Sequence, residues 1–313
     1  MLSFEMVLKN DRLMKSLTGL SREEFEVLLP TFEQVWKESL ASKERQRAVG
    51  GGLKGLLPDA SHKLLYILFY MKTYPTFDVA GFVFGAVRSA CFAWTKKFLP
   101  VLEKALGRTV TLPKRQIRSV DEFFQLCPDA KDLFIDGTER PIQRPRKQKL
   151  LRRRYSGKKK RHTRKNTIIC NEKKEILFVS PSKDGRVHDL QQLKKSAVVE
   201  HIPPDKAIWV DKAFCSIEKI LKNGNTVMIP HKKPRKCKKE LPPDKKEKRE
   251  KLWAQQNAEN KIISGIRIVV EHAIGGIKRF RCMTDPFRNK LGKDDQMIVI
   301  AAALWNLHLA CSK

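Results

Sequence analysis

The hydrophobic period of this chain changes once, near residue 130, and that change restricts the fold more than any single motif. Before it, apolar residues recur at helical spacing. After it come short runs rich in β-branched and aromatic residues, separated by polar turns: 133–136, 166–170, 175–180, 207–211 and 226–230. A helical stretch, 187–202, separates the third run from the fourth. Two long helical stretches, 242–280 and 294–311, follow the fifth. Three strands, a helix, a fourth strand and then further helices is the order of an α/β, ribonuclease H-like mixed sheet with helices on both faces. The expected organisation is an all-α helix-turn-helix domain over 1–110 and the ribonuclease H-like catalytic domain over 125–313.

The helical first third carries its own signals. Ser21 followed by Glu24 is a capping box that starts a helix. Gly50, Gly51 and Gly52 make a glycine-rich loop. The stretch 61–75 is apolar nearly all round, so it is expected to be buried, and Pro75 ends it. Residues 76–99 have the spacing of a helix-turn-helix. Gly81 is small enough for two helices to approach, and Gly85 stands where the turn needs positive φ. Ala80, Phe84, Cys91 and Trp94 then face inward. Arg88, Ser89, Phe92 and Lys96 are left on the outer face of the second helix, the face that enters a major groove in DNA readers. An ordinary helical hairpin with a solvated basic face has the same pattern.

The partner is indicated by charge. Sixty-four Lys and Arg against 34 Asp and Glu give a formal net charge of +30, which calls for a polyanion. Nucleic acid is the first candidate and an anionic membrane surface the second. No apolar run is long enough to span a bilayer, and the N-terminus lacks the apolar core of a signal peptide. The seven cysteines are scattered without a CxxC pair and are odd in number, so neither a disulfide framework nor a zinc site is suggested and a reduced intracellular protein is expected. In 144–165, 13 of 22 residues are Lys or Arg. Because this block lies between two expected strands, it should form an extended hairpin or arm along phosphates, with Arg152, Arg153, Arg154, Lys158 and Lys159 as contacts. Arg267 and Lys278 join that DNA-contacting set. A second basic block, 231–251, should serve similarly. An RNA-binding reading lacks the paired strand aromatics of an RRM.

Three carboxylates stand where chemistry could be placed. Asp136 ends the first strand, Asp211 ends the fourth, and Glu271 lies on the late helix. In a ribonuclease H-like sheet the first and fourth strands are neighbours, so their ends bring Asp136 and Asp211 together. Glu271, beside the apolar stripe of Val270, Ile274 and Ile277, sits at the edge of a core. Clustered carboxylates suit Mg²⁺, with Mn²⁺ as a substitute, and two ions can serve phosphoryl transfer. Each acid has a plainer reading. Asp136-Gly137 is a strong hairpin signal, Asp211 fits a strand-end turn, and Glu271 can pair with Arg267 four residues earlier. Asp189, after His188, is a rival second ligand, but it lies on the helix before the fourth strand. Asp184 reads as a loop residue.

The blocks "FIDGTERPI", "GRVHDL", "WVDKAF" and "RIVVEHAIGGIKRF" together resemble those of DDE transposases of bacterial insertion sequences, in the group related to eukaryotic Harbinger elements. The resemblance covers nearly the whole chain, including "LSREEFEVLLP" and the 76–99 pattern. It implies Asp136, Asp211 and Glu271 as a catalytic, metal-binding triad and His188 and Asp189 as supporting residues. The implied partners are terminal inverted repeats and target DNA, bound by a homo-oligomer, with no membrane and a cytoplasmic, nucleoid-associated location in a prokaryote. Lys212 and Ala213 depart from the small residue and glycine usual after the second Asp, whereas the aromatic is kept as Phe214. A transposase-derived DNA-binding protein without catalysis is the alternative reading.

Overall fold

The computed structural model describes residues 4–41, 55–234 and 242–312. The glycine loop at 50–52, Cys237 and the 235–241 part of the second basic block lie outside the described residues.

Seven helices precede the sheet: α1 (Phe4–Lys9), α2 (Asp11–Thr18), α3 (Arg22–Ala41), α4 (Ala60–Thr73), α5 (Phe77–Phe84), α6 (Arg88–Thr109) and α7 (Val120–Leu126). The capping box forms as read: Glu24 N–H donates to Ser21 Oγ at 3.2 Å, and Ser21 N–H to a Glu24 carboxylate oxygen at 2.9 Å. All eight residues from Leu64 to Met71 on α4 are buried. Helices α5 and α6 meet at 97°, with Gly85 between them at φ +65°. A Cβ on Gly81 would lie 2.4 Å from the Ala86 carbonyl oxygen, so only glycine lets the turn close on the first helix. Ala80 and Cys91 are buried, while Arg88, Ser89, Phe92 and Lys96 are exposed. No helix among the described residues is by itself long and apolar enough to cross a membrane.

The mixed sheet is built from β1 (Asp132–Pro141), β2 (Tyr155–Ser156), β3 (Arg161–Asn171), β4 (Ile176–Val179), β5 (Lys183–Asp184), β6 (Ala207–Val210) and β7 (Val227–Met228). The helix α8 (Gln148–Arg154) falls between β1 and β2, and α9 (Asp189–Ser196) between β5 and β6. After the sheet come α10 (Pro243–Lys278), α11 (Arg281–Thr284) and α12 (Lys293–Cys311). Strand β1 is central. It pairs antiparallel with β3 and parallel with β6, and β4 and β7 lie outside these neighbours. The neighbours expected for the first and fourth runs are therefore observed.

Both faces of the sheet are covered, and strand alternation decides which residue enters which core. Leu133, Ile135 and Ile169 face a core with Phe123, Leu193, Phe214 and Ile217. Phe134, Ile168 and Cys170 face a larger core with α10, α12 and the N-terminal helices. That larger core runs without a break between the helical first third and the sheet. Polar ties reinforce it: Lys72 Nζ donates to the Arg279 carbonyl at 2.9 Å, and Glu24 pairs with the His308 ring.

Two stretches differ from expectation. The helix expected over 187–202 stops at Ser196, where Ala197 adopts φ +55° and a 3₁₀ turn, Val198–His201, follows. The break lets Val198 and Val199, adjacent and β-branched, both be buried. Of the extended hairpin or arm expected for the basic block, a hairpin forms between β2 and β3, but it is entered through α8 rather than through extended chain. Asp184 is buried beside it and pairs with Arg153 at 2.8 Å and with Arg154 and Arg164 at 3.3 Å. A residue that reads as part of a loop thus neutralises the root of the basic hairpin.

Helix α10 is seated on α12 through Gly276, where a Cβ would lie 2.1 Å from the Trp305 ring. Gly276→Ala should lower stability by about 1–3 kcal/mol through overpacking. Gly265→Ala on the same helix meets nothing within 4 Å and should raise it by about 0.5–1 kcal/mol. Thermal denaturation of both variants checks the pair; equal effects would show that Gly276 does not seat the helix.

Candidate active site

The parallel register of β1 and β6 puts Ile135 opposite Val210. The next residues, Asp136 and Asp211, therefore stand side by side at the sheet rim. Asp136 neither makes a hairpin turn nor ends its strand as expected: β1 continues through Gly137, opposite Thr167, as far as Pro141, held by β3 after its pairing with β6 has stopped. Each acid is oriented locally by a backbone donor. Gly137 N–H donates to Asp136 Oδ1 and Lys212 N–H to Asp211 Oδ1, both at 2.7 Å. Asp211 also opens the 3₁₀ turn Lys212–Phe214, whose fully buried Phe214 anchors it below the sheet.

Burial is the largest influence on Asp136 and pushes its carboxyl above the usual carboxylate range. The Gly137 N–H and Arg267 oppose the shift, and the charge of Asp211 adds to it. The residue that meets both acids is Arg267 of α10. One terminal nitrogen lies 3.7 Å from Asp136 Oδ2 and the other 3.8 Å from Asp211 Oδ1. The sequence places Arg267 on DNA, yet its side chain is 9% exposed and turned inward toward the two aspartates.

Glu271 lies one turn further along α10, and its side chain is exposed. It makes no ion pair with Arg267, whose charge is directed at the aspartates. Among the described residues, no group of three Asp, Glu, His or Cys side chains is gathered closely enough to hold a metal ion. The structure thus brings together two of the three expected acids. These two still fit a hard cation: both present carboxylate oxygens, and a guanidinium charge already stands between them.

Asp189 is close by but committed elsewhere. It accepts from Lys165 Nζ at 2.9 Å, and a Cβ on Gly137 would come within 3.2 Å of it. His188 caps α9 by accepting the Leu190 N–H at 3.3 Å. Lys165, buried, also donates to the Val187 carbonyl at 3.0 Å and lies 3.5 Å from Glu139. It braces the strand behind Asp136. Within a run of basic residues it carried no sequence signal of that task.

The positive charge around the acids comes from two elements. The β2–β3 turn carries Lys158 and Lys159, both exposed. Their charges reach Lys278 at the end of α10, and that of Lys158 reaches Asp136. Lys278 is held below the ordinary lysine range, mainly by crowding that strips water from it, with Lys159 adding repulsion. Arg152 is exposed on α8. With Arg144, Tyr155, His162 and Arg186 it lines a shallow basic cleft. Arg153 and Arg154 are tied to Asp184 instead.

The family profile described as DDE superfamily endonuclease matches residues 135–306, a span that holds Asp136, Asp211, Arg267 and Glu271. The chain is 25% identical over 299 residues to the probable transposase for insertion sequence element IS702 of Microchaete diplosiphon, covering 96% of this chain and 95% of that protein. No solved structure matches.

The burial that raises the Asp136 pKa makes its ionised form costly to the metal-free fold. Asp136→Asn should therefore raise the melting temperature of the metal-free protein at neutral pH. The gain should shrink as acid protonates the native carboxyl, since a raised folded pKa means stability is lost as pH rises through it. Melting curves between pH 4 and 7 check the sign; a variant less stable at pH 7 would refute it.

Proposed function

The chain belongs to the DDE superfamily endonucleases, and from that premise we propose that it is an insertion-sequence transposase with a ribonuclease H-like catalytic core, in the Harbinger-related group. The observation that carries this reading is the Asp136–Asp211 pair, set side by side by the parallel pairing of β1 with β6, with the charges of Lys158 and Lys278 acting on Asp136 and that of Lys159 on Lys278. It is supported by the similarity, along nearly the whole chain, to a protein described as a probable insertion-sequence transposase.

Asp136 and Asp211 would hold the ions, with Glu271, on the same helix as Arg267, as the third ligand. Two divalent ions, Mg²⁺ or Mn²⁺, would supply stabilisation of the attacking and leaving oxygens of phosphoryl transfer. In the first reaction a water oxygen attacks the phosphodiester at an element end. In the second the freed 3′-hydroxyl attacks target DNA. In each, a new P–O bond forms as the old one breaks. Asp189 and Lys165 keep the strand behind Asp136 in place, and His188 fixes the start of α9.

The DNA runs over the basic surface in this reading. Arg152, Lys158 and Lys159 contact phosphates without reading sequence, beside the Tyr155–His162 cleft. The pair α5 and α6 acts as the helix-turn-helix, at 76–99, of a DNA-binding domain over 1–110 and reads the terminal repeats through Arg88, Ser89 and Lys96. The protein works as a homo-oligomer on DNA, at the nucleoid.

Asp136→Asn, Asp211→Asn and Glu271→Gln should each abolish strand cleavage of repeat-end DNA in Mg²⁺ and Mn²⁺ while leaving DNA binding nearly intact. Asp189→Asn should keep partial activity. Normal cutting by Asp211→Asn with a dead Asp189→Asn would reassign the second ligand. Binding without cleavage by the unmodified protein in either metal would favour the non-catalytic alternative.

Arg88→Ala and Lys96→Ala should weaken repeat binding by about 1–3 kcal/mol for each side chain that reads a base edge. Replacing Arg152, Lys158 and Lys159 by Gln should weaken binding to any DNA. The slope of log K against log salt should become shallower by about 0.9 for each phosphate that is no longer neutralised. Titrations on repeat and random duplexes separate the two surfaces; an unchanged slope would remove the hairpin from the DNA path.

A further inference from the structure

Arg267 holds a position that neither surface recognition nor core packing accounts for. Its guanidinium reaches Asp136 with one terminal nitrogen and Asp211 with the other, at 3.7 and 3.8 Å. Both separations exceed hydrogen-bond length, so the contact is ionic and loose. Its Nε is buried with no hydrogen-bond partner, although a buried polar group is normally satisfied. Arg140, a purely structural arginine, shares the unpartnered Nε but is gripped by its terminal nitrogens, which donate to the Asp294 carbonyl at 2.6 Å, Asn166 at 2.7 Å and Ser182 at 2.6 Å; the terminal nitrogens of Arg267 have only the two long ionic contacts to the aspartates. A DNA-contacting arginine would project outward. Arg267 sits where a cation shared by the two carboxylates would sit, and it is weakly held there.

We infer that Arg267 is an internal counterion that closes the Asp136–Asp211 pair in the metal-free protein and must withdraw for a divalent cation to enter. This rests on the reading of that pair as a metal site. Two adjacent carboxylates at a half-buried rim repel each other, with side chains 26% and 37% exposed. The guanidinium neutralises them until metal arrives. The helix carrying it carries Glu271 four residues on, so the counterion and the proposed third ligand are borne by one element. The counterion therefore lowers apparent metal affinity by the fraction of molecules in which it is seated.

The test is Mn²⁺ binding by the full chain without DNA, followed by electron paramagnetic resonance and by the rise in melting temperature on adding metal. Arg267→Gln removes the counterion and should bind Mn²⁺ about tenfold or more tightly, if nine-tenths or more of the native molecules are closed. It should also gain more melting temperature from metal than the unmodified protein. Arg267→Lys keeps the charge but loses the planar fork that spans two carboxylates, so it should fall between the two; it also serves if the Gln variant fails to fold. A Lys variant that binds like the unmodified protein would mean that charge alone, rather than bridging, sets affinity, and would overturn the inference. Asp136→Asn separates the premises. If it binds Mn²⁺ unchanged, the acid pair is not the metal site and the functional reading fails. If it loses Mn²⁺ while Arg267→Gln binds no tighter, only the counterion is wrong.

Discussion

The parallel pairing of β1 with β6 is the constraint on which the site depends. It aligns Ile135 with Val210 and so makes neighbours of two aspartates 75 positions apart in sequence. Everything else near the site either supports that pairing or answers the charge it creates. Leu133, Ile135, Ile208 and Val210 fix the register from one face through a core they share with Phe214. Phe134 and Trp209 stack on the other, ring centres 6.1 Å apart. A one-residue slip would exchange the two faces and bury the acids.

The order of elements was legible because it is written in local periodicity. The five strand runs, the buried α4, the capping box at Ser21 and Glu24, and the glycines at 81 and 85 all occur as read. So does the adjacency of Asp136 and Asp211, since it follows from strand order alone. Arg267, Asp184 and Lys165 were not legible in their roles. Each is a charged residue whose direction depends on partners 20 to 131 positions away or on the opposite side of a strand, and no local pattern encodes that. Arg267 on an amphipathic helix reads as a surface cation until the strand ends are placed beside it.

The positive charge is likewise sorted by partners rather than by composition. Within one basic block, Arg153, Arg154 and Arg164 gather on Asp184, and Lys165 holds Asp189. Arg152, Lys158 and Lys159 are left exposed. Acids placed at the root of the hairpin make it foldable, and the tip remains free to meet a polyanion. A chain with net charge +30 thus stores its repulsion at the periphery, where a partner can relieve it.

The unbroken apolar core between the helical first third and the sheet has a mechanical meaning. With Glu24 tied to His308 and Lys72 to the Arg279 carbonyl, the α5–α6 pair and the acid pair are joined through one continuous core. A sequence grasped by the first, as proposed, would present the second with a phosphate at a constant offset along the duplex. The molecule would behave as a caliper: the cut falls at a fixed measure from the mark, set by packing in the core and requiring no reading of the bases at the point of cleavage.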